Sequence, residues 1–167
     1  MADFQIYAPI LKRLEGGFVN DPADKGGATM CGVTLSTYRQ YYGSHLTVDD
    51  LKHISDVEWC HIMQTGYWDK IKGNQINNQY IAQLCADWCV NSGVKTAVRK
   101  IQEVLHLDVD GLVGQKTLAA LNGSDWHDIF DKIYLARQNY YNNLVRRNVS
   151  YKKFLSGWLR RLEILHY

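Results

Sequence analysis

The chain has 167 residues, 46% of them hydrophobic and 22% charged, a balance that is ordinary for a globular domain and excludes disordered or collagen-like classes. The formal net charge is +2, but residues 94–167 hold 12 Lys and Arg against 7 Asp and Glu, a net charge of +5. This part of the chain therefore favours an anionic partner, such as a cell-wall polymer or nucleic acid, unless its charges only solvate helix faces. No apolar stretch approaches the roughly 20 residues that cross a bilayer, so we predict no membrane insertion.

The first half of the chain predicts short helices around a glycine-rich segment. Apolar side chains recur at helical spacing over residues 4–15, and two glycines then end the pattern. Residues 16–34 are rich in Gly, Asp and Asn and predict an irregular segment or a small β-hairpin, with strand pieces near 17–20 and 31–35. Further helices are predicted after the cap residue Thr34 or Ser36, after Thr47, and over residues 55–63.

The second half of the chain predicts one buried helix followed by amphipathic ones. Residues 79–90 are apolar nearly all round, which is typical of a buried helix, and Asn91–Gly93 ends it. Cys85 and Cys89 stand one turn apart there, so we expect buried free thiols, because a zinc site needs closer ligand pairs. Further helices are predicted over 94–106, 115–122, 125–148 and 150–166. The predicted fold class is therefore mostly α.

Glu15 is the first candidate for chemistry. It occupies the last turn of an apolar helix, where the negative end of the helix dipole and the apolar neighbours disfavour a carboxylate. Both effects favour the protonated form, which is what a general acid requires. The alternative is an ordinary exposed acid at a helix end.

Asp21 and Asp24 lie instead in a polar turn, whose backbone N–H groups favour ionised carboxylates. One acid in an apolar setting and a second in a polar one is a pattern found in glycoside hydrolysis. The alternative is that both aspartates only shape turns, since Asp-Pro is a common turn starter.

The run EGGFVNDPADKGGATMCGVT resembles the signature of glycoside hydrolase family 108, a group of bacterial and prophage lysozymes (N-acetylmuramidases). The family pattern fixes an acid, several glycines and a few small polar or apolar positions. All of these are present, at Glu15, Gly16, Gly17, Phe18, Asn20, Asp24, Gly26, Gly27, Thr29, Gly32, Val33 and Thr34. The chain departs from the pattern at Met30 and Cys31, where the family more often has a polar residue, so affinity at one sugar subsite is expected to differ.

The resemblance implies a lysozyme-like helical domain that cleaves the β-1,4 bond between N-acetylmuramic acid and N-acetylglucosamine in peptidoglycan. By position, Glu15 is then the proton donor, and Asp24 and Thr29 orient the attacking water or support the cationic sugar. Asn20 and Asp21, within the same run, are assigned to substrate binding. No metal ion or organic cofactor is implied.

Two later motifs also resemble that family. Tyr67 and Trp68 are candidates to stack on sugar faces, with core packing as the alternative. Asn91, in the run DWCVNSG, is a candidate to hydrogen-bond an N-acetyl or hydroxyl group, with helix termination as the alternative.

Residues 98–122, VRKIQEVLHLDVDGLVGQKTLAALN, resemble a helical motif of peptidoglycan-binding type. Asp110 and Gly111 are expected to form a tight turn between two helices, and Thr117 is expected to face the first of them. The predicted organisation is a lysozyme-like catalytic domain over residues 1–93 and a C-terminal peptidoglycan-binding-like helical region over residues 94–167. The alternative for the second region is a purely structural helix pair.

The predicted partner is the glycan strand of peptidoglycan, and nucleic acid is not predicted as a partner. The N-terminal residues lack the pattern of a secretory leader, so we expect synthesis in the cytoplasm and action in the periplasm or at the cell wall. Access would then need a holin or a secretion pathway. Two rival functions remain: a lytic transglycosylase that uses the same acid, and a non-catalytic wall-binding or secretion accessory protein.

Overall fold

The computed structural model describes residues 1–20 and 27–167, and these form two compact units. The N-terminal unit comprises residues 4–66, and the C-terminal unit comprises residues 1–3 together with 67–167. The division after residue 93 that the sequence predicts follows motifs rather than spatial contacts, and it stays a prediction.

The described part of the N-terminal unit contains four α-helices. Their bounds are α1 Phe4–Glu15, α2 Leu35–Tyr42, α3 Val48–Lys52 and α4 Asp56–Met63. A π-helical turn, Gln64–Trp68, follows α4. The helix predicted over residues 4–15 is confirmed at both ends, and the three predicted from cap residues are confirmed as well.

Hydroxyl side chains start α2, α3 and α4. The Oγ1 of Thr34 accepts the backbone N–H three residues further on at 3.0 Å, so Thr34 is the cap of α2. Reciprocal capping boxes join Thr47 to Asp50 and Ser55 to Glu58. Because the hydrogen bonds of each cap satisfy N–H groups that the helix leaves open, these short helices have defined starts.

The glycine-rich segment forms a small antiparallel sheet. Its strands are β1 Phe18–Val19, β2 Thr29–Met30 and β3 Val33–Thr34, with β2 in the middle. Val19 pairs with Thr29 across β1 and β2, and Met30 pairs with Val33 across β2 and β3. The predicted β-hairpin is therefore confirmed, with one additional strand.

The C-terminal unit is helical in its described residues. Its helices are α5 Gln79–Ser92, α6 Val94–Val104, α7 Gln115–Leu121, α8 Trp126–Arg147 and α9 Lys152–Ile164. Helix α5 packs against α6 and α8, and α8 also packs against α9. Residues 1–3 belong to this unit because Asp3 and Gln79 exchange two hydrogen bonds, of 2.8 and 3.0 Å, between backbone and side-chain groups.

Helix α5 is buried as its composition predicts. Its residues from Ile81 to Cys89 have little or no exposed surface. Cys85 and Cys89 are free thiols there, so the prediction for these cysteines is confirmed. Burial raises the pKa of Cys85 to about 12 and raises that of Cys89 further, because a thiolate would lie in an apolar interior.

The predicted turn between α6 and α7 is held by one buried glutamine. Gly111 has a φ of +81°, and its N–H donates to Oε1 of Gln102 at 2.8 Å. The Nε2 of Gln102 donates to Oδ1 of Asp110 at 2.8 Å and to Oγ1 of Thr117 at 3.2 Å. The expectations of a tight turn here and of Thr117 facing α6 are both confirmed.

The mostly α fold with a small sheet is confirmed. In the described ranges, no helix combines the length and apolar character that a bilayer span requires.

Candidate active site

Glu15 is the last residue of α1, directly before the sheet. Gly16 follows with a φ of +76°, a left-handed conformation that ends the helix and turns the chain toward β1. The side chain of Glu15 is half-buried, and its oxygen Oε1 is fully buried. The carboxyl group is therefore held at the base of the sheet rather than extended into water.

A two-residue turn connects β2 to β3 beside this carboxyl group. Cys31 and Gly32 have φ values of +46° and +78°, as the tight turn of a two-residue hairpin requires. The pKa of the Cys31 thiol is raised by burial and also by the charge of Glu15, while Lys12 acts in the opposite direction. Glu15 and this turn are thus electrostatic neighbours.

Gly32 gives the Glu15 side chain its space. A Cβ built on Gly32 would lie 2.8 Å from Cδ of Glu15 and closer still to its Oε2. No other residue type fits there without displacing the carboxyl group, and the positive φ also disfavours other residues. Gly32 therefore has two roles: it leaves space for the Glu15 carboxyl group, and it allows the positive φ of the turn.

Trp59 fixes the same turn from α4. Its ring is 1% exposed, and its Nε1 donates to the carbonyl oxygen of Cys31 at 2.9 Å. The N–H of Cys31 donates to the carbonyl oxygen of Gly17 at 3.3 Å, which ties the turn to the segment after α1. Both backbone polar groups of Cys31 are therefore satisfied by residues of the N-terminal unit.

The end of α1 is joined to α4 by a second set of contacts. Lys12, one turn before Glu15, makes an ion pair with Asp56, and its Nζ lies 5.6 Å from the centre of the Trp59 ring. A hydrogen bond from Lys12 to Asp56 and the charge of that aspartate raise the pKa of Lys12 against the opposing effect of burial. Lys12 stays charged and anchors the helix that carries Glu15.

The other residues assigned to this site from the sequence lie nearby in the chain. Thr29 is half-buried in the central strand β2, and Asn20 is exposed directly after β1. Asp21 and Asp24 lie outside the described residues. Within the described ranges no group of three or more His, Cys, Asp and Glu side chains is arranged to hold a metal ion.

Tyr67, Trp68 and Asn91 belong to the C-terminal unit. Trp68 has no exposed surface, and its Nε1 donates to Oδ1 of Asn74 at 2.7 Å. Trp68 is therefore packed in the core, as the alternative to sugar stacking predicts. Tyr67 is half-buried, and its sugar-stacking role stays a prediction.

Asn91 is half-buried near the end of α5 and receives a hydrogen bond from α8. The hydroxyl of Tyr141 donates to Oδ1 of Asn91 at 2.6 Å and accepts from Nε of Arg137 at 2.8 Å. The amide of Asn91 is therefore oriented by its neighbour, with Oδ1 facing the protein. A substrate-binding role for Asn91 stays a prediction.

Arg137 belongs to a buried charge cluster. Its Nη2 donates to Oδ2 of Asp87 at 2.6 Å, and the guanidinium of Arg161 donates to both oxygens of Asp87 at 2.8 and 2.9 Å. Burial would raise the pKa of Asp87, but the charges and hydrogen bonds of the two arginines outweigh it and hold that pKa below its ordinary value. The cluster joins α5, α8 and α9 and supports the bond to Asn91.

Sequence reasoning did not find this cluster or the contact between Glu15 and Gly32. A lone aspartate in the otherwise apolar run QYIAQLCADWCV was a usable signal, since a carboxylate buried there needs a cationic partner. Nothing in the sequence identifies Arg137 and Arg161 as that partner among the 19 Lys and Arg residues.

The family model described as Glycosyl hydrolase 108 matches residues 8–93, which include α1, the sheet and the Glu15 site. The chain belongs to the glycosyl hydrolase 108 family. A second model, described as Predicted Peptidoglycan domain, matches residues 96–163. The chain is thus a glycoside hydrolase, and the pair of domains makes it a peptidoglycan hydrolase.

Among solved structures, the chain is similar to one titled "Structure of Brucella abortus SagA". The TM-score is 0.80 at 28% sequence identity, over 98% of this chain and 92% of that one. Comparison with curated protein sequences gives no match. The similarity to SagA supports the lysozyme-like fold with a helical C-terminal region.

Proposed function

We propose that this family 108 hydrolase cleaves the β-1,4 bond between N-acetylmuramic acid and N-acetylglucosamine, with Glu15 as the general acid. The observation that carries the proposal is the placement of the Glu15 carboxyl group against Gly32. One oxygen is buried, and the group sits at the end of a helix that Lys12 anchors. A carboxyl group held in a fixed position beside a hairpin turn can act as a general acid toward a glycosidic oxygen that comes within hydrogen-bond reach of it.

Glycoside hydrolysis needs a second group that activates water or stabilises the positive sugar. Thr29, in the central strand of the sheet that begins three residues after Glu15, is proposed to help position that water. Asp24 is proposed as the second carboxylate on the resemblance to family 108 alone. Its position lies outside the described residues.

The proposed site of action is the cell wall, where the C-terminal region would hold the enzyme on its polymer. The peptidoglycan domain that matches residues 96–163 supports this arrangement. Asn20 is proposed to contact the glycan strand beside β1, and Asn91 is proposed to contact it through the side-chain Nδ2, since Oδ1 is already engaged by Tyr141.

The decisive experiment compares wild type with Glu15→Gln on purified sacculi. Glutamine keeps the shape of the side chain but has no proton to give, so we expect turbidity clearance to fall by at least about a hundredfold. Glu163→Gln is the matched control, because Glu163 is an exposed glutamate on α9, and it should clear sacculi like wild type. Equal lysis by Glu15→Gln and wild type would refute the role of Glu15.

Mass spectra of the released fragments identify the bond and the reaction. Hydrolysis by an N-acetylmuramidase leaves a free reducing end on N-acetylmuramic acid. A lytic transglycosylase leaves a 1,6-anhydro ring on that sugar instead, so anhydro products would replace the hydrolase proposal with the transglycosylase one.

A further inference from the structure

A groove lies between α6 and α8 in the C-terminal unit, within the segment that matches the peptidoglycan domain. Its volume is about 360 Å³, within the size range of clefts that hold small ligands. Helix α8 contributes residues spaced three or four apart, so they lie on one face. The polar and charged lining residues are Lys100, Glu103, Asn139, Tyr140, Asn143 and Arg147.

The side chains of the α8 face are available for a ligand. Asn139, Asn143 and Arg147 are exposed, and none of them makes a side-chain hydrogen bond or ion pair to another residue in the described part of the chain. Asparagine is a poor helix former, so two of them one turn apart in the interior of a helix do not serve the helix itself. These groups therefore present two amides and one cation to the groove.

The α6 side of the groove adds both signs of charge. Nζ of Lys100 lies 2.6 Å from Oε2 of Glu103, so these two largely neutralise one another. The net attraction in the groove then comes from Arg147, in a region that has a net charge of +5. The groove thus suits a ligand that combines amide groups with a free carboxylate.

The aromatic residue of the groove does not offer an open sugar platform. The ring of Tyr140 packs at 5.9 Å against Trp88 and at 5.7 Å against Tyr141, measured between ring centres. The amides of Asn139 and Asn143 can bind either sugar hydroxyls or peptide groups, whereas the guanidinium of Arg147 suits a carboxylate in particular. Peptidoglycan carries both components, because its sugar strands bear short peptides that end in carboxylates.

We propose that the groove between α6 and α8 binds the stem peptide of peptidoglycan. Asn139 and Asn143 hydrogen-bond its amide groups, and Arg147 binds its terminal carboxylate in a bidentate manner. The inference deepens the proposed function and rests on it for the identity of the polymer. The groove would bind the same polymer that the Glu15 site cleaves.

The test uses the full chain with Glu15→Gln, so that ligands are not consumed, and follows the side-chain amide signals of Asn139 and Asn143 by NMR. Three probes are titrated: a disaccharide tetrapeptide, the free tetrapeptide, and the disaccharide without peptide. Asn139→Ala and Asn143→Ala assign the two signals, and alanine favours the helix at these exposed positions. We expect both signals to shift with the two peptide-bearing probes and not with the bare disaccharide.

A charge-matched pair of variants tests the carboxylate contact. Arg147→Gln should weaken tetrapeptide binding about tenfold, because it removes a charged hydrogen-bonding group. Arg160→Gln removes the same charge from an exposed arginine outside the groove and should leave binding unchanged. Equal weakening by both variants, silent amide signals, or equal shifts with the bare disaccharide would each overturn the proposal.

The two proposals can fail separately. If Glu15→Gln still lyses sacculi while the amide signals respond to tetrapeptide, the catalytic proposal fails and the groove remains a peptide site. If wild type lyses sacculi and the signals stay silent, only the groove proposal fails.

Discussion

The carboxyl group of Glu15 lies beside Gly32, in the space that a Cβ at residue 32 would occupy. The end of a helix and the tip of a hairpin therefore meet through one acid and one glycine. A glycine at residue 32 is therefore needed for two reasons: it leaves space for the Glu15 carboxyl group, and it adopts the positive φ of the turn. It also makes the position of Glu15 open to test without changing Glu15.

We expect Gly32→Ala to lower kcat on sacculi by at least about tenfold, because the new methyl group displaces the Glu15 carboxyl group by an ångström or more. Gly93→Ala is the matched control. Gly93 has a similar φ of +83°, but no atom lies within 4 Å of a Cβ built on it. Both variants should lose about 1 kcal/mol of unfolding free energy through backbone strain. A Gly32→Ala enzyme with normal kcat would show that the contact does not matter for catalysis.

The hydrogen bond from Trp59 to the turn is testable by comparing two buried indoles. Trp59→Phe removes the donor to the Cys31 carbonyl, so we expect a loss of about 1–3 kcal/mol from the unmade hydrogen bond, beyond the change in packing. Trp88 is equally buried, but its Nε1 has no hydrogen-bond partner among the described residues. Trp88→Phe should therefore lower the unfolding free energy only through the change in packing.

Urea unfolding of both variants checks this expectation, and a smaller loss for Trp59→Phe than for Trp88→Phe would contradict it. Because Trp59 holds the turn beside Glu15, the Trp59 variant should also lower kcat, while the Trp88 variant should not.

The buried cluster around Asp87 should control stability in acid. The pKa of Asp87 in the folded protein lies below the unfolded value of about 3.9. The ionised Asp87 therefore stabilises the fold fully above about pH 3.9, and this stabilisation is lost as the pH falls toward the folded pKa. Asp87→Asn removes this effect at all pH values and leaves two arginines without their counter-charge, which should cost about 3–5 kcal/mol at neutral pH.

The measurement is the unfolding free energy of wild type and Asp87→Asn between pH 2 and pH 7. We expect the gap between the two curves to narrow below about pH 4. Other acids with lowered pKa values, such as Asp50 and Glu58, contribute equally to both proteins and cancel in the difference. A constant gap across this range would show that Asp87 titrates alike in the folded and unfolded chain.

The four cysteines should differ in reactivity with a thiol reagent. Cys60 is half-buried, whereas Cys31, Cys85 and Cys89 are buried. Burial raises the pKa of all four thiols, and most strongly in α5, which lowers the thiolate fraction that reacts. We expect one thiol per native chain to react, its signal to vanish in Cys60→Ser, and the other three to react only in urea. Rapid labelling of Cys85 or Cys89 in the native chain would disprove their burial.

Local patterns predicted the elements of this fold well. The helix over residues 4–15, the caps Thr47 and Ser55 and the buried α5 all follow from signals within a few neighbouring residues. The outer strands β1 and β3 lie where strand pieces were predicted, but the middle strand β2 was not predicted, because each strand is only two residues long and carries no alternating pattern.

The site was predictable only in part, and for a physical reason. Glu15 stands out through its place in an apolar helix and through its motif, both of which are local. Its contact with Gly32 and the bond from Trp59 to the turn depend on how the chain packs. The link from Asp87 to Arg161 spans 74 residues, so no local pattern could reveal it.

The proposed contact of Asn91 with the glycan can be tested through Tyr141, whose hydroxyl orients the Asn91 amide. We expect Tyr141→Phe to raise KM for soluble glycan strands several-fold with little change in kcat, because binding loosens while the acid stays in place. Asn91→Ala should raise KM by a similar or larger factor. The double variant should be no worse than Asn91→Ala alone, since the hydroxyl of Tyr141 then has no amide left to orient.

Tyr134→Phe is the control for this cycle. Tyr134 also lies on α8 and is half-buried, but its hydroxyl makes no hydrogen bond to another described residue, so its removal should leave KM unchanged. Additive effects of the Tyr141 and Asn91 changes would mean that the tyrosine acts by another route, such as its bond to Arg137. A rise in KM for Tyr134→Phe equal to that for Tyr141→Phe would mean that the loss reflects general loosening of α8.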